Sequence, residues 1–251
     1  MSHTLGVVEV PTFSYASMAH SLTTRKFGNK PLFEWVARRV TEAICIDQVL
    51  IVADPSFREV VERLLPPDVA AYFGAQHDPL SRLAAAIRKA DATSIVRVRA
   101  DRPFVDPSLI DRLICDAHAH PGCDYVGYMC RDGGSLLQSQ LGIFAEWCSA
   151  DAIFRSDRAA ADSLDRQHST RYVTSHPEHF QLRFLPTPIE IDRDDIRLAI
   201  DHEEDWEHAH VIYDALGPER LDWRRIAELL AAQPELRRKM ASLNRACSTV
   251  D

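Results

Sequence analysis

Short apolar runs alternate with amphipathic segments through most of the chain. Each run has the length of a buried strand, and apolar residues in the intervening segments recur three and four positions apart, as on one face of a helix. Strands that alternate with helices predict a mostly parallel sheet with helices on both faces. The predicted strands comprise residues 6–10, 48–53, 69–73, 94–100, 124–129, 140–144, 179–185 and 196–200.

Helical periodicity fills the gaps between these strands and continues to the C-terminus. A chain of 251 residues with 46% hydrophobic and 26% charged residues can bury one large core, and we find no repeat or linker. We therefore expect a single domain over residues 1–251 with helical C-terminal packing. The predicted helices comprise residues 30–40, 56–65, 79–90, 108–118, 148–160, 203–216, 222–230 and 234–243.

Charge and composition exclude several classes of partner. The formal net charge is −8, so no global field favours nucleic acid or an anionic membrane. The N-terminus lacks a basic region followed by a long apolar run, and no apolar stretch approaches the roughly 20 residues that span a bilayer. We therefore expect a cytoplasmic protein with no membrane partner. The six cysteines form no C-x-x-C pair, which indicates reduced thiols.

Two of the predicted strands end in an acidic residue, Asp101 and Asp201. The carboxyl ends of parallel strands lie at one edge of the sheet, where ligands bind in open α/β folds. Two carboxylates that converge there suit magnesium, which takes its remaining ligands from water and phosphate. The alternative is that each acid only caps the helix that follows. Asp106 and Pro107 have the residue types of a helix N-cap and first position.

Residues 97–111 resemble a motif of nucleotide-activating cytidylyltransferases. They are R-V-R-A-D-R-P-F-V-D-P-S-L-I-D, and the family pattern is R-x-T-G-D-x-P-F-x-D-P-x-x-I-D. The resemblance is to the 3-deoxy-manno-octulosonate type and, more closely, to the spore-coat polysaccharide type. Further matches follow the family's order between residues 28 and 245: Lys30-Pro31-Leu32, Leu80-Ser81-Arg82, and the segments 166–172, 176–180 and 197–205.

This resemblance implies a three-layer α/β fold like that of nucleotide-diphospho-sugar transferases, usually as a homodimer. It implies that Asp101 and Asp201 hold magnesium and carry the catalytic role. The substrates would be CTP or another nucleotide and a small sugar or sugar-acid acceptor, and pyrophosphate would be released. The family's acceptor-binding motif is retained at Arg166, His168 and Thr170.

The phosphate-binding loop departs from the family pattern. Relatives have a loop resembling Q-A-R-M-G-S-x-R-L-P-G-K, whereas Phe13, Met18 and Leu22 stand at its basic positions here. Nucleotidyl transfer needs positive charge where the pyrophosphate leaves. We expect that charge to come from basic residues elsewhere, with His20 as a further candidate. The predicted phosphate-binding set is Arg25, Lys26, Lys30, Arg97 and Arg102.

Two more departures lie immediately before Asp101. Arg99 replaces the threonine of the family motif, and Ala100 replaces its glycine. The added methyl group stands where backbone approaches phosphate in the family.

These observations support two hypotheses. In the first, the protein is a transferase with Asp101 and Asp201 at its centre and Arg25, Lys26 or Arg102 replacing the lost cations. In the second, it is a catalytically inactive family member that binds or regulates an active transferase. Acids that face each other across a cleft lined by these basic residues favour the first.

Overall fold

The computed structural model describes residues 3–10, 25–131, 133 and 140–247. These residues form one seven-stranded sheet and a two-stranded hairpin. The strands are β1 (Thr4–Glu9), β2 (Lys26–Phe27), β3 (Lys30–Pro31), β4 (Gln48–Ala53), β5 (Ala70–Phe73), β6 (Ser94–Arg99), β7 (Tyr125–Met129), β8 (Glu146–Ser149) and β9 (Leu182–Pro186). The hairpin pairs β2 with β3.

The main sheet has the order β5-β4-β1-β6-β8-β7-β9. Strand β1 is central to its parallel half, with β4 on one side and β6 on the other. Strand β8 is antiparallel to both of its neighbours, while β7 and β9 are parallel. The prediction of an α/β fold with a mostly parallel sheet is confirmed.

Ten α-helices accompany the sheet in the described residues. They are α1 (Leu32–Thr41), α2 (Arg58–Leu64), α3 (Pro79–Ala90), α4 (Pro107–Ala119), α5 (Ala150–Ala159), α6 (Ser163–Gln167), α7 (Arg171–Ser175), α8 (Glu203–Leu216), α9 (Trp223–Ala231) and α10 (Pro234–Cys247). Single 3₁₀ turns lie at Pro55–Phe57 and Pro218–Arg220. None of the described helices is both long and apolar enough to cross a membrane.

Successive side chains of β1 enter two separate apolar cores. Val8 packs in the core that includes residues of α1, α4, α8, α9 and α10. Val7 packs in the core that includes residues of α3, α5 and α7. Because neighbouring residues of a strand point to opposite faces, helices cover both faces of the sheet. This explains why every residue of β1 is buried.

Helix α4 begins where the sequence predicts. One carboxylate oxygen of Asp106 accepts hydrogen bonds from the backbone N–H groups of Ser108 at 2.9 Å and Leu109 at 3.2 Å. The other oxygen accepts from the backbone N–H of Trp223 at 2.9 Å. Asp106 therefore caps α4 and also joins it to α9.

Two predicted strands are wrong. Residues 140–144 form no strand, and the strand is instead β8, so the following helix begins at Ala150. Residues 196–200 also form no strand, because their N–H groups bond to loop carbonyls and not to a neighbouring strand. Leu198 and Ala199 donate to the carbonyl of Gln140 at 2.9 and 3.1 Å, and Ile200 donates to that of Asp101 at 3.0 Å. Because this segment is buried, its residues are mostly apolar, and that is the same pattern that a buried strand has.

Gly142 lies where this segment crosses the loop before β8, and its substitution tests the close approach. Its φ is +67°, and a Cβ added there would lie 2.4 Å from the backbone nitrogen of Ala199. We expect Gly142→Ala to lower the free energy of unfolding by about 2–4 kcal/mol, measured by urea denaturation.

Gly122→Ala is the matched control, because Gly122 has a φ of +95° but no atom within 4 Å of the added Cβ. It carries only the backbone cost, about 1–2 kcal/mol. Equal losses in the two variants would contradict the importance of the backbone contact at Gly142.

Candidate functional site

Asp101 and Asp201 lie together at the carboxyl edge of β6. Asp101 lies two residues after the end of the strand, and its carbonyl accepts the hydrogen bond from the Ile200 N–H that positions Asp201 beside it. One guanidinium nitrogen, Nη2 of Arg99, contacts Oδ2 of Asp101 and lies 3.5 Å from Oδ1 of Asp201. The two acids that the sequence pairs are therefore joined by an arginine.

The two remaining carboxylate oxygens also face arginines. Oδ1 of Asp101 lies 3.3 Å from Nε of Arg102, and Oδ2 of Asp201 lies 3.7 Å from Nη2 of Arg197. Asp101 is only 2% exposed, whereas Asp201 is 26% exposed. Each of the four oxygens thus faces a guanidinium nitrogen, although Oδ1 of Asp101 accepts no hydrogen bond from a described residue. The site opens to solvent on the side of Asp201.

Asp205 holds Asp201 in place, a role that the site prediction did not include. The fully buried Arg197 binds Asp205 through two contacts of 2.6 and 3.0 Å. Asp205 Oδ2 also accepts the backbone N–H groups of Asp201 at 3.0 Å and His202 at 2.9 Å. The sequence carried a signal for this role, since Asp205 is an acid in the first turn of a predicted helix.

We tested whether a divalent ion fits this arrangement. Magnesium takes oxygen ligands at roughly 2.1 Å and is poorly tolerant of distorted geometry. The space between the two acids is filled by Arg99, and three arginine charges balance those of Asp101, Asp201 and Asp205. In the described part of the chain, no group of three or more His, Cys, Asp or Glu side chains is placed to hold a metal, so an ion bound by these two acids would need water or phosphate oxygens as its further ligands. A divalent ion does not fit the site as arranged.

A second charged network lies on the neighbouring strands. Arg97 contacts Glu9 at 2.6 Å and Glu146 at 3.3 Å, and the hydroxyl of Ser169 donates to Glu9 at 2.5 Å. Burial alone would raise the pKa of Glu9, but Arg97 and Ser169 outweigh it and hold that pKa below its ordinary value. Burial raises the pKa of Glu146, and Arg97 and Thr170 offset this only in part.

Arg102 is a buried cation with unused hydrogen-bonding capacity. Its residue is 7% exposed, and its Nη1 has no hydrogen-bond partner among the described residues. Burial lowers the pKa of its guanidinium, which the charge of Asp101 opposes and that of Arg99 reinforces. A buried donor without a partner costs about 1–3 kcal/mol, so Arg102 is suited to bind an oxygen-rich anion.

The basic residues of the hairpin region differ in their surroundings. Arg25 forms an ion pair of 2.7 Å with Glu203 at the start of α8, and its guanidinium lies 5.1 Å from the ring centre of Trp206. Lys26 is exposed and Lys30 is half-buried, and neither forms an ion pair with a described residue. Arg25 is thus fixed near the segment of Asp201. The loop positions Phe13, Met18, His20 and Leu22 lie outside the described residues.

The predicted acceptor-binding residues are divided between two places. Thr170 is buried, and its hydroxyl lowers the pKa of the neighbouring Glu146. His168 is half-buried, and burial together with the charges of Arg97 and Arg171 lowers its pKa, so its imidazole is neutral at pH 7.

Arg166, by contrast, is bound within the scaffold. Its guanidinium contacts the carboxylates of Asp78 at 2.7 Å and Asp157 at 2.9 Å, and it donates to the carbonyl of Ala160 at 3.2 Å. The structure therefore places Arg166 as a link between α3, α5 and α6.

The strand order, with helices on both faces of the sheet, is that of the α/β nucleotidyltransferase fold. The chain belongs to the MobA-like NTP transferase domain family, whose model matches residues 23–243. The spore coat polysaccharide biosynthesis protein SpsF of Bacillus subtilis (strain 168) is 27% identical over 200 residues, which cover 77% of this chain and 80% of that protein. The resemblance inferred from the motifs is confirmed.

Three solved structures share the fold. A cytidylyltransferase from Leptospira borgpetersenii has a TM-score of 0.77 at 16% identity, covering 94% of this chain and 95% of its own. CMP:2-keto-3-deoxy-manno-octonic acid synthetase complexed with CTP has a TM-score of 0.59 at 10% identity, covering 85% and 98%. Rv0371c of Mycobacterium tuberculosis H37Rv, complexed with manganese, has a TM-score of 0.55 at 17% identity, covering 82% and 97%. Nucleotide and divalent metal thus occur among fold relatives.

The opposite pKa shifts of Glu9 and Glu146 predict opposite pH effects. Glu9, with its lowered pKa, contributes stability above the unfolded value of about 4.3 and loses it as pH falls through the lowered folded value. We expect the wild type to have a higher free energy of unfolding than Glu9→Gln, and this difference to be larger at about pH 7 than at about pH 4. Urea denaturation at the two pH values measures it.

Glu146→Gln is the matched variant with the opposite sign. Because the folded pKa of Glu146 is raised, its contribution is full below the unfolded value and is lost as pH rises through the raised value. The difference in the free energy of unfolding between the wild type and Glu146→Gln should therefore decrease as the pH increases. Parallel pH profiles for the two variants would contradict the assigned shifts.

Proposed function

We propose that the protein binds a nucleoside triphosphate, with CTP the first candidate, and transfers its nucleotidyl group to a hydroxyl of a sugar or sugar acid. The observation that carries this proposal is Arg102, a buried guanidinium beside Asp101 with one nitrogen that no described residue partners. Its position at the carboxyl edge of a parallel strand is where α/β folds bind ligands. The name of the Leptospira fold relative supports CTP as the nucleotide.

The reaction exchanges one phosphorus–oxygen bond for another. The acceptor hydroxyl oxygen bonds to the α-phosphorus, the bond from that phosphorus to the bridging oxygen breaks, and pyrophosphate leaves. Arg102, Lys26 and Lys30 would stabilise the charge that develops on the leaving group. His168 and Thr170 would contact the acceptor. Magnesium, which the family resemblance implies, enters this proposal only as the counter-ion that a triphosphate carries in solution.

Nucleotide binding tests the role of Arg102. We expect isothermal titration to detect binding of CTP with magnesium to the wild type, and Arg102→Gln to weaken it at least about tenfold, because a charged hydrogen bond to phosphate is lost. Arg238→Gln is the control, since Arg238 is exposed and pairs with Glu235 on the surface of α10. Absence of binding to CTP and to the other common nucleoside triphosphates would refute the proposed function.

A second candidate function is that of a non-catalytic partner of an active transferase. It is favoured by the way the protein's own carboxylates bind Arg25, Arg99 and Arg166, which leaves these arginines less available to phosphate.

Pyrophosphate release across a panel of sugars and sugar acids separates the two functions. Turnover that Arg102→Gln abolishes supports the transferase, whereas nucleotide binding without turnover, with co-purification of an active transferase, supports the partner. Size-exclusion chromatography with light scattering tests the homodimer implied by the resemblance.

A further inference from the structure

We propose that Arg99 is the resident cation of this site and that it keeps the site free of divalent metal. Its guanidinium lies between Asp101 and Asp201, the pair to which the family resemblance assigns magnesium. The inference goes beyond the proposed function, because it concerns which cation the protein itself supplies and holds whether or not a nucleotide binds.

The backbone fixes Arg99 at this place. Arg99 is the last residue of β6 and lies opposite Glu9 of β1 in the parallel register. The next N–H group, that of Ala100, donates to the carbonyl of Glu9 at 2.9 Å, so the pairing continues past the strand end. From this anchored position, Nη2 of Arg99 contacts one oxygen of each acid.

The charges around the pair disfavour a divalent ion. A metal between the acids would have to displace Arg99 and would then lie close to Arg102 and Arg197, whose guanidinium groups contact the remaining oxygens of Asp101 and Asp201. Repulsion between these positive charges is strong where water is excluded. Asp205 does not offset it, because both of its oxygens are already bound by Arg197.

Arginine and metal differ in ways that matter for this site. The guanidinium is permanently charged and covalently attached, and its planar fork can bind phosphate oxygens as well as carboxylates. The side chain of Arg99 is 23% exposed, so an anion can reach it from solvent. In the family motif that the sequence resembles, threonine stands at this position, and threonine leaves the space between the acids open.

Manganese titration without nucleotide tests this inference. Free Mn²⁺ is followed by electron paramagnetic resonance for the wild type and for Arg99→Thr. We expect the wild type to show no stoichiometric binding, and Arg99→Thr to bind one ion at least about tenfold more tightly, because a unit positive charge is removed from between the acids. The double variant Arg99→Thr/Asp101→Asn should lose this gain.

Arg99→Lys, which keeps the charge, should remain as poor in metal binding as the wild type. Stoichiometric binding by the wild type that Asp101→Asn abolishes would overturn the inference, as would a folded Arg99→Thr that gains no affinity. If Arg99→Thr fails to fold, Arg99→Gln removes the same positive charge with a side chain of closer length and is titrated in its place, with the same gain in affinity expected. Because no nucleotide is present, failure of CTP binding leaves this result unaffected.

Discussion

The site depends on two partly buried arginines at the end of β6, each of which needs a carboxylate. Arg97 and Arg99 are two residues apart on the strand and project from the same face. A buried charge without a partner is strongly destabilising, so the fold places acids around them. Glu9 and Glu146 meet Arg97, while Asp101 and Asp201 meet Arg99. The first role of these acids is therefore to neutralise the two arginines.

The same requirement joins the C-terminal helices to the site. Arg197 binds Asp205 and also donates to Asn244 of α10 at 3.2 Å. The amide of Asn244 in turn donates to the carbonyls of Asp194 and Ile196 at 2.8 and 3.1 Å. The segment before Asp201 is therefore held by these side chains and by backbone bonds to loop carbonyls, and not by a sheet ladder. Ion pairs of this kind add little net stability, but breaking them is costly, so they fix geometry.

The sequence predicted those features that depend on local pattern. Aliphatic runs located most strands, and the Asp106-Pro107 pair located the start of α4. Residues 196–200 were misassigned because an apolar pattern indicates burial without showing where the backbone hydrogen bonds go. The sequence predicted that Asp101 and Asp201 lie close together, and they do, but for a different reason. The hydrogen bond from the Ile200 N–H to the carbonyl of Asp101 brings them together, and not the ends of two parallel strands.

The contact of Arg99 with both acids was beyond local pattern, because it joins residues a hundred positions apart. It changes what a nucleotide would meet at this edge. Before any ligand binds, the charges of Asp101, Asp201 and Asp205 are already balanced by arginines. A triphosphate therefore competes with carboxylates for Arg99 but not for Nη1 of Arg102. Nη1 of Arg102, which has no partner among the described residues, can therefore bind phosphate while Nε keeps its ion pair with Asp101. Nucleotide affinity would depend on Arg102. Turnover would depend on whether Arg99 exchanges its carboxylates for phosphate.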